Sequence, residues 1–168
     1  MFGPSKAQRD AEFTSFVNES QHSLTGTAWL LTGNRPEAGE LVQAALVKVY
    51  VAWPKVRHDD ALAYARRILV NENIDRWRKG RPEVLDDDSA GSLSNDDASD
   101  EVVNRDEANR LLDVLPPAQR RVIVLRYFCD MTEREIAESL GISTGAVKSA
   151  ASRGLAAMRA HSTEGAVA

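Results

Sequence analysis

Residues 132–153, TEREIAESLGISTGAVKSAASR, constrain the fold of this 168-residue chain more than any other stretch. Thr132 followed by Glu135 has the spacing of a capping box, in which each side chain satisfies the other residue's backbone N–H at a helix start. Ile136, Ala137 and Leu140 then fall on one face of that helix. Gly141 stands where the chain must turn sharply, and glycine tolerates the backbone angles this needs. Ile142 returns to the core, Ser143 caps a second helix, and Val147 packs back on the first. Ala137 is small where the helices cross. The second helix presents Lys148, Ser149, Ser152 and Arg153 outward, with no acid between Ser143 and Arg159. These features together read as a helix-turn-helix whose second helix suits the DNA major groove. A helix pair that only packs does not require an acid-free outer face.

A net charge of −4 sits awkwardly with DNA binding until it is partitioned along the chain. Residues 86–104 hold seven acidic side chains and no basic one, whereas the flanking stretches 1–85 and 105–160 are each net positive by two. Local patches therefore say more about partners than the whole-chain balance. The acidic stretch, DDDSAGSLSNDDASDEVVN, is poor in apolar residues and cannot bury enough surface to offset the entropy of ordering. Residues 83–103 are read as a flexible linker, first of all a spacer. A sharper role for its charge is competition with nucleic acid for a basic channel in a partner.

Both sides of the linker read as helical, with aliphatic residues and alanine dominating the apolar set. Upstream, Phe13, Phe16 and Val17 form one helical stripe, and Leu24, Ala28 and Leu31 a second, ended by Thr32-Gly33-Asn34. Pro36 opens the next helix with Glu37 near its positive end. That helix runs through Leu41, Val42, Ala45, Leu46, Val49 and Tyr50 and stops at Trp53-Pro54. A polar loop follows, then a helix over 61–79 with Leu62, Ala65, Leu69 and Ile74 inward. Downstream, helices are expected over 104–114 and 118–128, the latter with Val122, Ile123 and Leu125 inward. The expected fold is all-α: two small helical domains, residues 10–82 and 104–160, joined by the linker.

Arg76, Arg78, Lys79 and Arg81 lie within six residues around Trp77. Basic side chains neutralise phosphates, and aromatic faces stack on unpaired bases. Trp77 in the core of a basic helix end is the alternative for that ring. Catalysis finds no support: there is no phosphate-binding glycine loop, no Gly-x-Ser-x-Gly elbow and no nucleophile–base pair. Asp59 and Asp60 fit capping of the helix at Ala61 better than acid–base work. His22, His58 and His161 are too scattered for a metal site. The chain is thus read as a non-enzyme without cofactor or metal. One cysteine, Cys129, among Tyr127, Phe128 and Met131, suits core packing and a reducing compartment. With no signal peptide and no apolar run of membrane-spanning length, a cytoplasmic location and no membrane insertion are expected.

Three pieces, LLTGNRPEAGELVQAALVKVYVAW, AYARRILVNENIDRWRK and LPPAQRRVIVLRYFCDMTEREIAESLGISTGAVKS, resemble the extracytoplasmic-function (ECF) sigma factors of bacterial RNA polymerase. Within that group the chain looks most like the short actinobacterial SigE-type members. The resemblance spans residues 10–160 and implies region 2, a linker and region 4. It implies core RNA polymerase, promoter DNA and an anti-sigma factor as partners. Glu40, Leu41 and Gln43, with Leu46, lie on the helix similar to that which docks on the polymerase. The loop 53–60, with Trp53, Lys55, Arg57 and His58, looks like the one that captures a base of the melted −10 element. Arg66, Asn71, Arg76, Arg78 and Lys79 lie on the helix similar to that which holds the single strand. Lys148, Ser149, Ser152 and Arg153 lie on the helix that resembles the reader of the −35 duplex. Ala38-Gly39-Glu40 stands where the family commonly has Ala-Glu-Asp, and Gly39 should weaken its helix by up to ~1 kcal/mol.

Two other classes share part of this pattern. A helix-turn-helix regulator that does not replace the sigma subunit would keep residues 132–153 but leave the basic helix 66–81 unexplained. A helical scaffold with no DNA role would show no salt-dependent promoter binding.

Overall fold

The structure is a computed structural model that describes residues 3–80 and 100–166. Seven α-helices and no strand occur among the described residues. Three of them, α1 (Lys6–Thr32), α2 (Arg35–Ala52) and α3 (Ala61–Lys79), form an N-terminal unit. The others, α4 (Asp100–Leu112), α5 (Pro117–Ile123), α6 (Glu133–Leu140) and α7 (Thr144–Ala166), form a C-terminal one. Most of the acidic segment lies outside the described residues, and α4 begins at Asp100, ahead of the expected 104.

The two stripes upstream belong to one helix rather than two. Nothing between Val17 and Leu24 breaks α1, because Ser20 turns its hydroxyl back to the Phe16 carbonyl at 2.7 Å instead of diverting the backbone. Helix α1 ends as its sequence demands. Gly33 adopts φ 68°, and its N–H reaches the Trp29 carbonyl at 2.8 Å. Asn34 then caps α2, accepting the Glu37 N–H at 3.0 Å, with Pro36 in the first turn. Two single 3-10 turns, Trp53–Lys55 and His58–Asp60, replace the expected loop before α3. Asp60 takes the N-cap position of α3, but its side chain makes no capping bond, against the expectation.

The core of the N-terminal unit is built from Leu24, Leu41, Val42, Val49, Trp53 and Leu69, with Phe13, Phe16 and Leu46 packed on it. In the C-terminal unit, α5 does not continue regularly to Phe128. From Val124 to Phe128 the backbone widens to a π-turn, with the Cys129 N–H on the Val124 carbonyl at 3.1 Å. Val122, Ile123, Val124 and Leu125 are four consecutive buried residues, more than one face of a regular helix can hide. The second core joins these to Leu112, Ile136, Leu140 and Val147. It also takes in Leu30 and Leu31 of α1 and Val70 and Ile74 of α3.

Candidate nucleic-acid and polymerase interfaces

The helix-turn-helix forms as its residues dictate. Thr132 accepts the Glu135 N–H at 3.1 Å, and Glu135 returns the bond to the Thr132 N–H at 2.8 Å. Gly141 closes α6 at φ 68°. Ser143 accepts the Ala146 N–H at 3.0 Å and so starts α7. Val147, Ile136 and Leu140 are buried between the two helices. This orientation leaves Lys148, Ser152 and Arg153 exposed and Ser149 half-buried. The Arg153 guanidinium donates to Ser149 Oγ at 2.8 Å, which holds it along the outer face of α7. Lys148 Nζ lies 3.9 Å from the Glu133 carboxylate on α6, a loose and exposed pair that a phosphate can replace.

The loop before α3 separates into two kinds of residue. Lys55 and Arg57 line a cavity of about 520 Å³ together with Val56, Asp60, Tyr64 and Arg67. Trp53 does not. It is only 4% exposed and belongs to the core, with the Phe13 and Phe16 rings at 5.3 and 5.1 Å. His58 stacks on Trp53 at 5.1 Å and faces Glu12 at 3.5 Å, so the ring is held on the far side of the loop. Trp53, expected to meet a base, is buried in this structure and supports the loop from beneath. Tyr64 and Arg67 were missed in the sequence. Their signal is the spacing 60, 63, 64, 67, which places them on the face of α3 beneath the loop.

Along α3, Asn71, Arg76, Arg78 and Lys79 are exposed. Arg76 is tethered to Glu72 at 3.3 Å, and the Lys48 ammonium also bonds Glu72 and holds its carboxyl below the usual carboxylate range. Arg66 is exposed but turned to α1, donating to Ser23 Oγ at 2.7 Å. Trp77 packs on the second core, beneath the Arg121 guanidinium at 5.0 Å, which resolves its role in favour of packing.

On α2, Glu40 and Gln43 are exposed and Leu46 is half-buried. Leu41 is 1% exposed, so it shapes the helix from within and cannot itself touch a partner. The same outer face carries Val47, Tyr50 and Val51, with Val51 76% exposed. Their spacing from Glu40 and Gln43, in steps of three and four, was the available signal. Val47 and Val51, one turn apart, leave a small apolar patch in solvent, while the Tyr50 hydroxyl donates to Asp10 at 2.8 Å.

Cys129 packs on the second core. Burial pushes its thiol up to about 11, Asp130 adds to the rise, and the Arg66 cation offsets part of it. A thiol so poised is protonated at neutral pH and a poor nucleophile. Among the described residues no helix is long and apolar enough to cross a membrane.

Two helical units, one with a helix-turn-helix whose second helix exposes Lys148 and Arg153, the other bearing an exposed basic helix beside a cavity of about 520 Å³, have the make-up of a nucleic-acid-binding protein. The comparisons agree. The model of Sigma-70 region 2 matches residues 16–83, and that of Sigma-70 region 4 matches residues 105–158. The RNA polymerase sigma-E factor of Streptomyces avermitilis is 35% identical over 149 residues, covering 88% of this chain and 83% of that protein. Its namesake in Streptomyces coelicolor is 34% identical over 88% of this chain and 84% of its own length. The chain belongs to the ECF sigma factors of RNA polymerase, of SigE type. Its fold also resembles that of the sigma factor RpoE solved in complex with the anti-sigma factor NepR from Bartonella quintana. The TM-score is 0.51 at 21% identity, over 88% of this chain and 94% of that one.

Proposed function

We propose that this sigma factor docks on core RNA polymerase through the exposed face of α2, reads the −35 duplex with α7, and captures and holds the opened −10 strand with the loop 53–60 and α3. Glu40, Gln43, Val47 and Val51 form the docking face, supported by Leu46. Lys148, Ser149, Ser152 and Arg153 meet the duplex. Lys55, Arg57, Tyr64 and Arg67 surround the flipped base, and Asn71, Arg76, Arg78 and Lys79 track the strand. The protein performs no bond chemistry; that stays with the polymerase. It acts in the cytoplasm, and an anti-sigma factor holds it in check, as the solved RpoE complex suggests by analogy.

The observation that carries this reading is the cavity between the 3-10 turns and α3. A pocket for an unstacked base needs an apolar wall, hydrogen-bonding groups and nearby cations. Val56 and Tyr64 supply the wall, Asp60 the acceptor, and Lys55, Arg57 and Arg67 the cations. Replacing residues 55–60 by a Gly/Ser segment of equal length tests it. Core binding and −35 contact should persist, while permanganate reactivity of −10 thymines is lost. Wild-type footprints with unchanged −10 preference would remove the loop from the mechanism.

A further inference from the structure

Helix α3 carries an acid where its proposed role asks for cations. Glu72 stands one turn before Arg76, on the helix whose Arg76, Arg78 and Lys79 face solvent. A bare carboxylate there would repel the phosphates of a strand lying along α3. Glu72 is not bare: its side chain is only 14% exposed, and each carboxylate oxygen meets its own cation. Oε1 accepts from Arg76 Nε at 3.3 Å. Oε2 accepts from the ammonium of Lys48, which reaches over from α2, 24 residues earlier in the chain. The bond from Lys48, aided by Arg76 and opposed by burial, holds the carboxyl below the usual carboxylate range, so it is ionised at neutral pH.

The two bonds do different things. Lys48 follows the buried Leu41 and Ala45 by seven and three positions, which puts it on the flank of α2 that faces α3. Its bond fixes the carboxylate between two helices, where an i,i+4 pair alone would be a loose surface contact. Arg76, with its side chain 39% exposed, is the outward partner. Among the described residues it is the one member of the Arg76, Arg78 and Lys79 set that is tethered to an acid, and its Nη1 and Nη2 have no partner there. A guanidinium held at Nε presents those two nitrogens as a planar fork that matches phosphate oxygens. We propose that Glu72 is a positioning residue for single-strand capture: anchored by Lys48, it aims Arg76 at a phosphate of the opened −10 strand. The proposal rests on the sigma reading above, in which α3 tracks that strand. Charge alone predicts the reverse. Glu72 offsets one of the two cations it touches, so a purely electrostatic role makes its loss strengthen DNA binding. A positioning role makes its loss weaken binding, because a freed arginine gives up rotamer freedom when the strand orders it.

Holoenzymes assembled from core polymerase and each variant test this on promoter fragments. The readouts are permanganate reactivity of −10 thymines and the salt dependence of binding to the isolated non-template strand. Glu72→Ala, which keeps a strong helix former at the position, should lower opening by about 5- to 10-fold with core affinity unchanged. Arg76→Ala should lower it at least as far, and the slope of log affinity against log salt should shrink by about 0.7, as for one lost phosphate contact on a single strand. Glu72→Ala should shrink the slope in the same direction, where a charge effect alone would steepen it. Added to Arg76→Ala, it should change neither readout, since it acts only through that arginine. If Glu72→Ala lowers the urea midpoint, the isosteric Glu72→Gln decides by sign: opening still falls if geometry matters and rises if only charge does. Unchanged or increased opening in these Glu72 variants, a further loss when Glu72→Ala joins Arg76→Ala, or wild-type opening by Arg76→Ala each overturns the proposal. A wild-type holoenzyme that opens no fragment removes the sigma reading and the proposal with it, and only that failure silences the wild type.

Discussion

Region 2 and region 4 are stabilised in different ways. Region 2 is three long helices around a core of its own, closed at one end by the Phe13–Phe16–Trp53 ring cluster. Region 4 is assembled from shorter helices, and its core draws on four aliphatic side chains of region 2 and shares a buried arginine with α1. A small domain buries too little surface to be comfortably stable alone. Region 2 therefore holds most of its own core, whereas region 4 relies on neighbours outside itself for part of its packing. The residues at their boundary serve packing, while Arg76, Arg78 and Lys79 of α3 and Lys148 and Arg153 of α7 stand exposed.

Substitutions in the two regions probe this contrast. The largest effect is expected at Trp53. Trp53→Ala should cost region 2 about 3–5 kcal/mol, read as a lower urea midpoint. Trp53→Phe removes an indole N–H that has no hydrogen-bond partner and should cost far less, leaving −10 preference unchanged. A Phe variant that folds normally but loses −10 preference would return Trp53 to the DNA-contacting set.

In region 4, Arg153→Ala should weaken −35 binding by ~1–3 kcal/mol and relax preference at one base pair if it reads a base edge. If it meets phosphate alone, binding falls uniformly across sequences and the salt slope drops by about one. An unchanged titration would place the outer face of α7 elsewhere. Thr132→Ala deletes half of a reciprocal cap and should cost region 4 about 1 kcal/mol in thermal unfolding. The smallest effect has the opposite sign. A Cβ added at Gly39 meets nothing within 4 Å, so Gly39→Ala should stabilise α2 by ~0.5–1 kcal/mol. A loss of stability there would mean that this stretch of α2 is not the open helix described.

The sequence was most legible where one local rule had one outcome. The Thr132–Glu135 box, the Gly141 turn, the Asn34 cap with Pro36 and the bounds of α3 all depend on neighbours within a few residues. Legibility ended where the same residue type served two purposes. An aromatic at the start of a loop can stack on a base or seal a core; Trp53 and Trp77 look alike in this respect, and both turned out to pack. Leu41 sits beside exposed Glu40 and Gln43, but helical phase turns it inward. Arg66 has the composition of a strand contact, yet Ser23, 43 residues earlier, holds it. The bond from Arg120 to the Leu30 carbonyl spans 90 residues, and no periodicity or spacing announces a pairing of that range.

Reconstituted transcription decides whether this chain works as a sigma subunit. The purified chain is added to core RNA polymerase on promoter-containing fragments, and run-off products are read together with permanganate-reactive thymines. Expected are discrete transcripts that need both components, with unpaired thymines confined to the −10 region and lost when residues 55–60 become Gly/Ser. A chain that binds promoter duplex tightly alone, leaves core polymerase unbound and yields no transcript would contradict it, and would make the protein a helix-turn-helix regulator.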